Sequence, residues 1–233
     1  MNVEVWSDIV CPWCYIGKRN LESALARFEH RAEVEVEFRS FELDPAAPSS
    51  DGRDLAERLA AKYGVPRAEA EAMNARVTEV ASKAGLDYHL DVARPGNTFE
   101  AHQLIHCARE EGRGADMKER LMAAYFIEGR PIGEREELVR LGQEVGLGAG
   151  VVQDAFESRR FAEAVRAEER EAAELGISGV PYFVIDRRFG VSGAQPPDLL
   201  LSGLQHAWSA GTSALDAAPG LGFGAPALGH RIP

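Results

Sequence analysis

Ser7-Asp8-Ile9-Val10-Cys11-Pro12-Trp13-Cys14-Tyr15-Ile16-Gly17 is the stretch that decides how this chain reads. The residues before it, Asn2 to Trp6, are rich in Val and Trp and suit a short strand. Those after it, Tyr15 to Phe28, place Ile16, Leu21, Leu25 and Phe28 on a mostly helical period. Two cysteines separated by two residues at a strand-to-helix junction read as a redox dithiol. Pro12 suits the first helical position, because the N–H it lacks has no helical partner there. Cys11 is then the N-cap and Cys14 the third helical residue. Unpaired first-turn N–H groups and the positive end of the helix dipole favour a thiolate at the N-cap. Cys11 is therefore the expected nucleophile, and Cys14, turned into the helix, the expected resolving thiol.

Composition narrows the function classes. The 233 residues are 45% hydrophobic, enough for one sizeable core. A formal net charge of −11 argues against nucleic-acid binding and against docking on an anionic membrane. No apolar run approaches the ~20 residues needed to span a bilayer. Met1-Asn2-Val3-Glu4 lacks the basic start and apolar core of a secretion signal, so a cytoplasmic protein is expected. Three cysteines do not make a disulfide framework. The odd one, Cys107, sits in a helical pattern beside Ile105 and Ala108 and is expected to be a small buried hydrophobe.

Along the chain, Val34, Val36 and Phe38 alternate with Glu33, Glu35 and Glu37, predicting a strand with one wet face at a sheet edge. From Asp54 to about Leu175 the pattern is helical. Its apolar stripes include Leu55, Leu59 and Tyr63; Met73, Val77 and Val80; Ala101, Leu104 and Ile105; and Met117, Leu121, Ala124 and Tyr125. Gly64, Gly85, Gly112, Gly129 and Gly146 fall where these helices should stop. Gly179-Val180-Pro181 then opens a β run, Tyr182 to Ile185, with a hairpin partner at Phe189 to Val191 and a last helix from Pro197 to Ser209. The order βαβ, helical block, ββα predicts an α/β fold: a mixed four-stranded sheet with an inserted all-helical domain. The expected division is 1–44 with 176–210 for the sheet domain, 45–175 for the helical domain, and a Gly/Ala/Pro-rich tail over 211–233.

The Ser7–Gly17 stretch, together with Asn97-Thr98, Ala101-His102, Ala124-Tyr125-Phe126, and Gly179-Val180-Pro181 through Val191-Ser192-Gly193-Ala194-Gln195, resembles the FrnE-type branch of the DsbA-like proteins. The resemblance extends to about Trp208. It implies a thioredoxin-like fold interrupted by a helical domain, and a cis peptide bond before Pro181. Val180 and Pro181 would then lie against Cys11 and pair with an extended substrate. Related families include the glutathione-dependent 2-hydroxychromene-2-carboxylate isomerases and the kappa-class glutathione transferases. These typically carry serine where Cys11 stands, and their closing motif differs from Ser192-Gly193-Ala194-Gln195.

The first reading is therefore a dithiol–disulfide oxidoreductase. Its partner is the thiol or disulfide of a protein or small molecule, and it needs no metal and no cofactor beyond the Cys11–Cys14 disulfide, with glutathione left open as a co-substrate. Two alternatives stay open: a glutathione-dependent isomerase or transferase acting on an aromatic substrate, and a redox-switched interaction protein without catalysis. Between the cysteines, Pro12 and Trp13 tune the thiolate. Trp13 carries no cation, so a pair less oxidising than one with His in that place is expected; Trp13 either contacts substrate or packs over the helix start. The strand position at which thioredoxin-like proteins bury an acid is Val5 here, and the nearest carboxylate, Asp8, either relays protons to Cys14 or caps the loop. Asp8 and His102 are candidate cleft residues. Asn97 and Glu100 fit a helix N-cap with its reciprocal partner. His102 and His106 lie one turn apart, but a histidine at the domain interface is expected rather than a metal ligand.

Overall fold

A computed structural model describes residues 1–50 and 52–216, the side chains of 212–216 excepted. Strand β1 (Asn2–Ser7) leads into α1 (Pro12–Ala26), and a short 3-10 turn (Arg31–Glu33) leads into β2 (Glu35–Ser40). The helical block follows as α2 (Leu55–Tyr63), α3 (Arg67–Lys83), α4 (Phe99–Glu110), α5 (Gly114–Phe126), α6 (Arg135–Glu144), α7 (Ala149–Glu157) and α8 (Ala162–Glu174). The chain then returns as β3 (Tyr182–Ile185), β4 (Phe189–Ser192) and α9 (Pro197–Asp216). The sheet has the order β2-β1-β3-β4. β1 pairs parallel with β2 and antiparallel with β3, and β3 pairs antiparallel with β4. This is the thioredoxin-like arrangement that the sequence predicts, with the helices between its halves.

β1 is central and alternates its side chains between two covered faces. Val3 and Val5 join Leu21 and Leu25 of α1 and Leu200 and Leu204 of α9 in one buried cluster. Trp6 faces the other way, packs with Ala172 of α8 and Val184 of β3, and donates its Nε1–H to Glu168 O at 3.1 Å. The core of the helical block, with Leu104, Met117, Leu121 and Phe126, continues without a break into Cys14, Tyr15 and Ile16 of α1. Each fully buried Leu or Phe there contributes about 1.5–3 kcal/mol. The dithiol turn therefore sits on the seam between the sheet and the helices.

Several local expectations change. β2 is an edge strand with a wet face in part: Glu33 and Glu35 are exposed, whereas Glu37 is half-buried and pairs with Arg39 at 3.2 Å and Arg109 at 2.9 Å. Guanidinium groups on both sides let the Glu37 end of this face be partly covered. The Leu55–Tyr63 stripe is weaker than its periodicity suggests. α2 packs on α3, buries only Ala56, and leaves Tyr63 54% exposed. Its stop is as predicted: Gly64 takes the left-handed conformation (φ 66°, ψ 32°) that closes the helix. At α4 the N-cap is Thr98 rather than Asn97, whose side chain accepts from Phe99 N–H at 2.9 Å from one position earlier, and Glu100 does not reciprocate; it is drawn to Arg135 at 2.5 Å. α9 runs to Asp216, past the predicted end at Ser209. The tail expected over 211–233 thus begins as helix, and from 217 onward it lies outside the described residues.

Candidate active site

Pro12 is the first residue of α1 and Cys11 its N-cap, in extended backbone (φ −86°, ψ 112°). Both cysteines are free thiols, and both are buried. One expectation is corrected: the Cys11 sulfur takes no capping bond from the first turn of α1. The Cys14 N–H that would supply it is already taken by the Cys11 carbonyl at 3.0 Å. The Cys11 Sγ instead meets the Val180 carbonyl oxygen at 3.6 Å, across the sheet domain. The Val180–Pro181 peptide is cis, and Pro181 is buried against α1. Contact is close enough that a Cβ on Gly17 would lie 2.9 Å from Pro181 Cγ and 3.3 Å from Phe183 Cζ. Gly17→Ala is therefore expected to displace the Val180-Pro181 loop and to cost about 1–3 kcal/mol by overpacking. Denaturant unfolding checks it, and a variant as stable as wild type would show that the loop yields freely.

Trp13 is 42% exposed beside the buried cysteines, so it does not pack over the helix start. The turn is held from behind by Tyr88, whose hydroxyl donates to Pro12 O at 2.8 Å and whose ring stacks on Phe126 at 4.6 Å. Tyr88 also lines an open groove of about 440 Å³ with Asp54, Leu55, Arg67, Asn74 and Thr78.

Asp8 and His102 do not line a cleft; each is 1% exposed. The loop between β1 and α1 folds over Asp8, which acts as its cap. Asp8 Oδ1 accepts from Ile9 N–H at 2.7 Å, and Oδ2 accepts from Leu43 N–H at 2.8 Å. His102 Nε2 lies 3.3 Å from Oδ1. Burial alone would raise the Asp8 carboxyl, but the hydrogen bond from His102, the Leu43 N–H and the nearby Lys118 ammonium outweigh it and hold it below its ordinary value. Burial drives the His102 imidazole down despite Asp8. A neutral imidazole facing a carboxylate must be its donor, which sets the proton on Nε2. His106 lies 3.3 Å from Ser40 Oγ and 3.2 Å from the Glu168 carboxylate, so the two histidines serve separate partners. Cys107 is 3% exposed, and burial pushes its thiol up, as befits a packed hydrophobe.

Sequence reasoning missed Lys118. It is fully buried on α5, and its Nζ donates to Ser7 O at 3.0 Å, directly behind the dithiol turn. Burial pulls its ammonium down to about 8, against the charges of Cys14, Asp8 and Cys11. The signal was present: Lys118 shares a helical face with Leu121, Met122 and Tyr125, all buried. Val5 indeed brings no acid to this place. The adjacent Glu4 is buried but faces the other side of the sheet, where Arg39 at 2.5 Å and Arg187 at 2.7 Å neutralise it. Burial pushes the Cys14 thiol well above its ordinary value, and Cys11 adds to this, while Lys118 and the Asp8 N–H oppose it.

Residues 2–205 match the profile of the DSBA-like thioredoxin domain. The chain belongs to this family. Among solved structures, this DsbA-like chain is similar to a probable DsbA oxidoreductase from Streptomyces coelicolor. The two are 41% identical, the match covers 98% of this chain and 96% of that one, and the TM-score is 0.87. A Bacillus subtilis protein of uncharacterised function, YwbO, is 29% identical over 187 residues, covering 79% of this chain and 86% of its own. At the level of fold, the chain also resembles the cytosolic disulfide reductase DsbM from Pseudomonas aeruginosa, whose structure contains GSH. That match has 22% identity, covers 90% of this chain and all of that one, and has a TM-score of 0.64. Among the described residues no helix is long and apolar enough to cross a membrane.

Proposed function

We propose that this DsbA-like protein is a cytoplasmic dithiol–disulfide oxidoreductase working through Cys11 and Cys14. The observation that carries the reading is the Cys11 sulfur at the N-cap of α1, 3.6 Å from the Val180 carbonyl, with Cys14 in the first turn behind it. In the reducing direction the Cys11 thiolate attacks a substrate disulfide. A Cys11–substrate disulfide forms, and the substrate's other sulfur leaves as a thiolate. The Cys14 thiolate then attacks Cys11 Sγ and releases the second substrate thiol. Two electrons pass to the substrate, and the Cys11–Cys14 disulfide remains, to be reduced again by an external thiol. Val180-Pro181 offers backbone to an extended substrate, and exposed Trp13 offers it apolar contact. The reacting pair itself uses no metal.

The structure of DsbM with GSH supports glutathione as that external thiol. The test is turnover of insulin disulfides by the wild-type protein with glutathione as reductant. Insulin reduction well above the glutathione-only rate is expected. Glutathione-dependent turnover of an aromatic substrate with no insulin reduction would favour an isomerase or transferase instead. The fold resemblance to a 2-hydroxychromene-2-carboxylate isomerase, at 14% identity and a TM-score of 0.65, keeps that reading second.

A further inference from the structure

One peptide unit behind the dithiol carries two contacts. Its carbonyl, Ser7 O, accepts from Lys118 Nζ at 3.0 Å. Its N–H, that of Asp8, leads into the turn in which Asp8 O accepts from Cys11 N–H at 3.4 Å, and it opposes the rise of the Cys14 thiol. A trans peptide is planar, with its C=O and N–H on opposite sides. The buried ammonium therefore holds the carbonyl end of a dipole whose N–H end acts on the Cys14 thiol. An ammonium at the carbonyl end polarises the unit and strengthens donation from the N–H end. A buried lysine is ordinarily matched by a carboxylate. Among the described residues, the hydrogen bond of Lys118 goes to this backbone carbonyl instead. Lysine is supplied by α5, so the helical block reaches into the chemistry of the sheet domain.

We propose that Lys118 is a positioning residue for the resolving step, stabilising the Cys14 thiolate through the Ser7–Asp8 peptide as it attacks the Cys11 mixed disulfide. The assignment rests on the dithiol reading above. In this step the Cys14 thiol gives its proton to solvent, and its thiolate forms the bond to Cys11 Sγ. The Cys11–substrate bond breaks, and the substrate thiolate leaves and takes up a proton. Lys118 keeps its proton throughout. Burial brings its ammonium down to about 8, so it is still charged at neutral pH, where a Cys14 thiol pushed up by burial needs help most. The other groups facing this pair are Cys11 at the N-cap of α1, Asp8 in the loop after β1, Tyr88, and Glu168 on α8. His102 on α4 faces Lys118 and Asp8 as a neutral ring.

The reduced protein, in a Cys107→Ala background, is mixed with Ellman's reagent across pH. The first released chromophore reports attack by Cys11, and the second reports resolution by Cys14. In Lys118→Met the second phase is expected to slow about tenfold at pH 7, and its pH midpoint to rise by about one unit or more, the scale of a nearby opposite charge. The first phase should change less. Lys118→Gln keeps an N–H donor for Ser7 O but no charge. It should shift in the same direction, and it serves where Lys118→Met does not fold. Lys118→Arg should restore most of the wild-type midpoint. A folded Met or Gln variant with the wild-type midpoint overturns the assignment, as does equal slowing of both phases. Loss of the second phase in the wild type sinks the Cys11–Cys14 reading itself.

Discussion

Cys11→Ser is expected to bring disulfide exchange down to the uncatalysed background, whereas Cys14→Ser is expected to collect in cells as mixed disulfides with its partners. The asymmetry follows from position. Cys11 stands at the start of α1 with its sulfur beside the Val180 carbonyl, and a serine hydroxyl in its place is too weak a nucleophile to open a disulfide. Cys14 lies a turn inward, and burial holds its thiol protonated, so it waits for a disulfide to form at Cys11 rather than attacking substrates itself. Removing Cys14 leaves the first step intact and blocks the second. Non-reducing gels and mass spectrometry of the trapped species read both effects, and they identify the partner directly. Cys107→Ser should leave exchange unchanged, because Cys107 is a buried thiol whose charged neighbours are Glu110, Glu111 and Arg160. If Cys11→Ser trapped partners and Cys14→Ser did not, the roles of the two sulfurs would be reversed.

The features behind this prediction were legible because they are local. A Cys-Pro-Trp-Cys run ties a helix start to two thiols through nearest-neighbour rules, and the order of strands and helices follows from periodicity alone. Val180-Pro181 was found through its motif, and the structure places it against Cys11. What stayed hidden is charge inside the protein. Lys118, Glu4, Arg39 and Glu168 read as surface residues when taken one by one, because burial of a charge depends on partners far away in sequence. Glu4 meets Arg39 and Arg187 only once β1, β2 and β3 are assembled. Glu100 satisfied the pattern of a capping box, yet Arg135 from α6 won it, a charge partner that the local pattern cannot weigh. Asp8 and His102 were each expected in a cleft; nothing in the sequence shows that the loop closes over them or that they meet each other at 3.3 Å.

The same buried charges give the second large effect: Glu168→Ala is expected to cost about 3–5 kcal/mol of stability, the scale for breaking a buried ion pair. Glu168 is 5% exposed and binds three elements together. Its Oε1 lies 3.2 Å from Arg39 of β2 and 3.1 Å from Arg109 of α4. Its Oε2 accepts from Ser40 N–H at 2.6 Å and meets His106 of α4 at 3.2 Å. Alanine leaves the Ser40 N–H without its acceptor and strips one carboxylate from two guanidinium groups. Arg39 and Arg109 keep Glu37, which moderates the loss. Glu168→Gln, which retains an acceptor for Ser40, should lose less. The pH dependence has a definite sign. Burial would raise the Glu168 carboxyl, but His106, the Ser40 N–H and Arg109 outweigh it and hold the carboxyl below its ordinary value. The unfolded chain therefore binds this proton at a higher pH than the folded one. The stabilisation is fully present above the unfolded value of about 4.3 and is lost as pH falls through the folded value. Asp8, also held below its ordinary value, adds a term of the same sign. Urea unfolding from pH 7 to pH 3 should show wild-type stability falling more steeply than that of Glu168→Gln. Parallel curves for the two proteins would mean that this carboxylate is not what fastens the edge strand to α4 and α8.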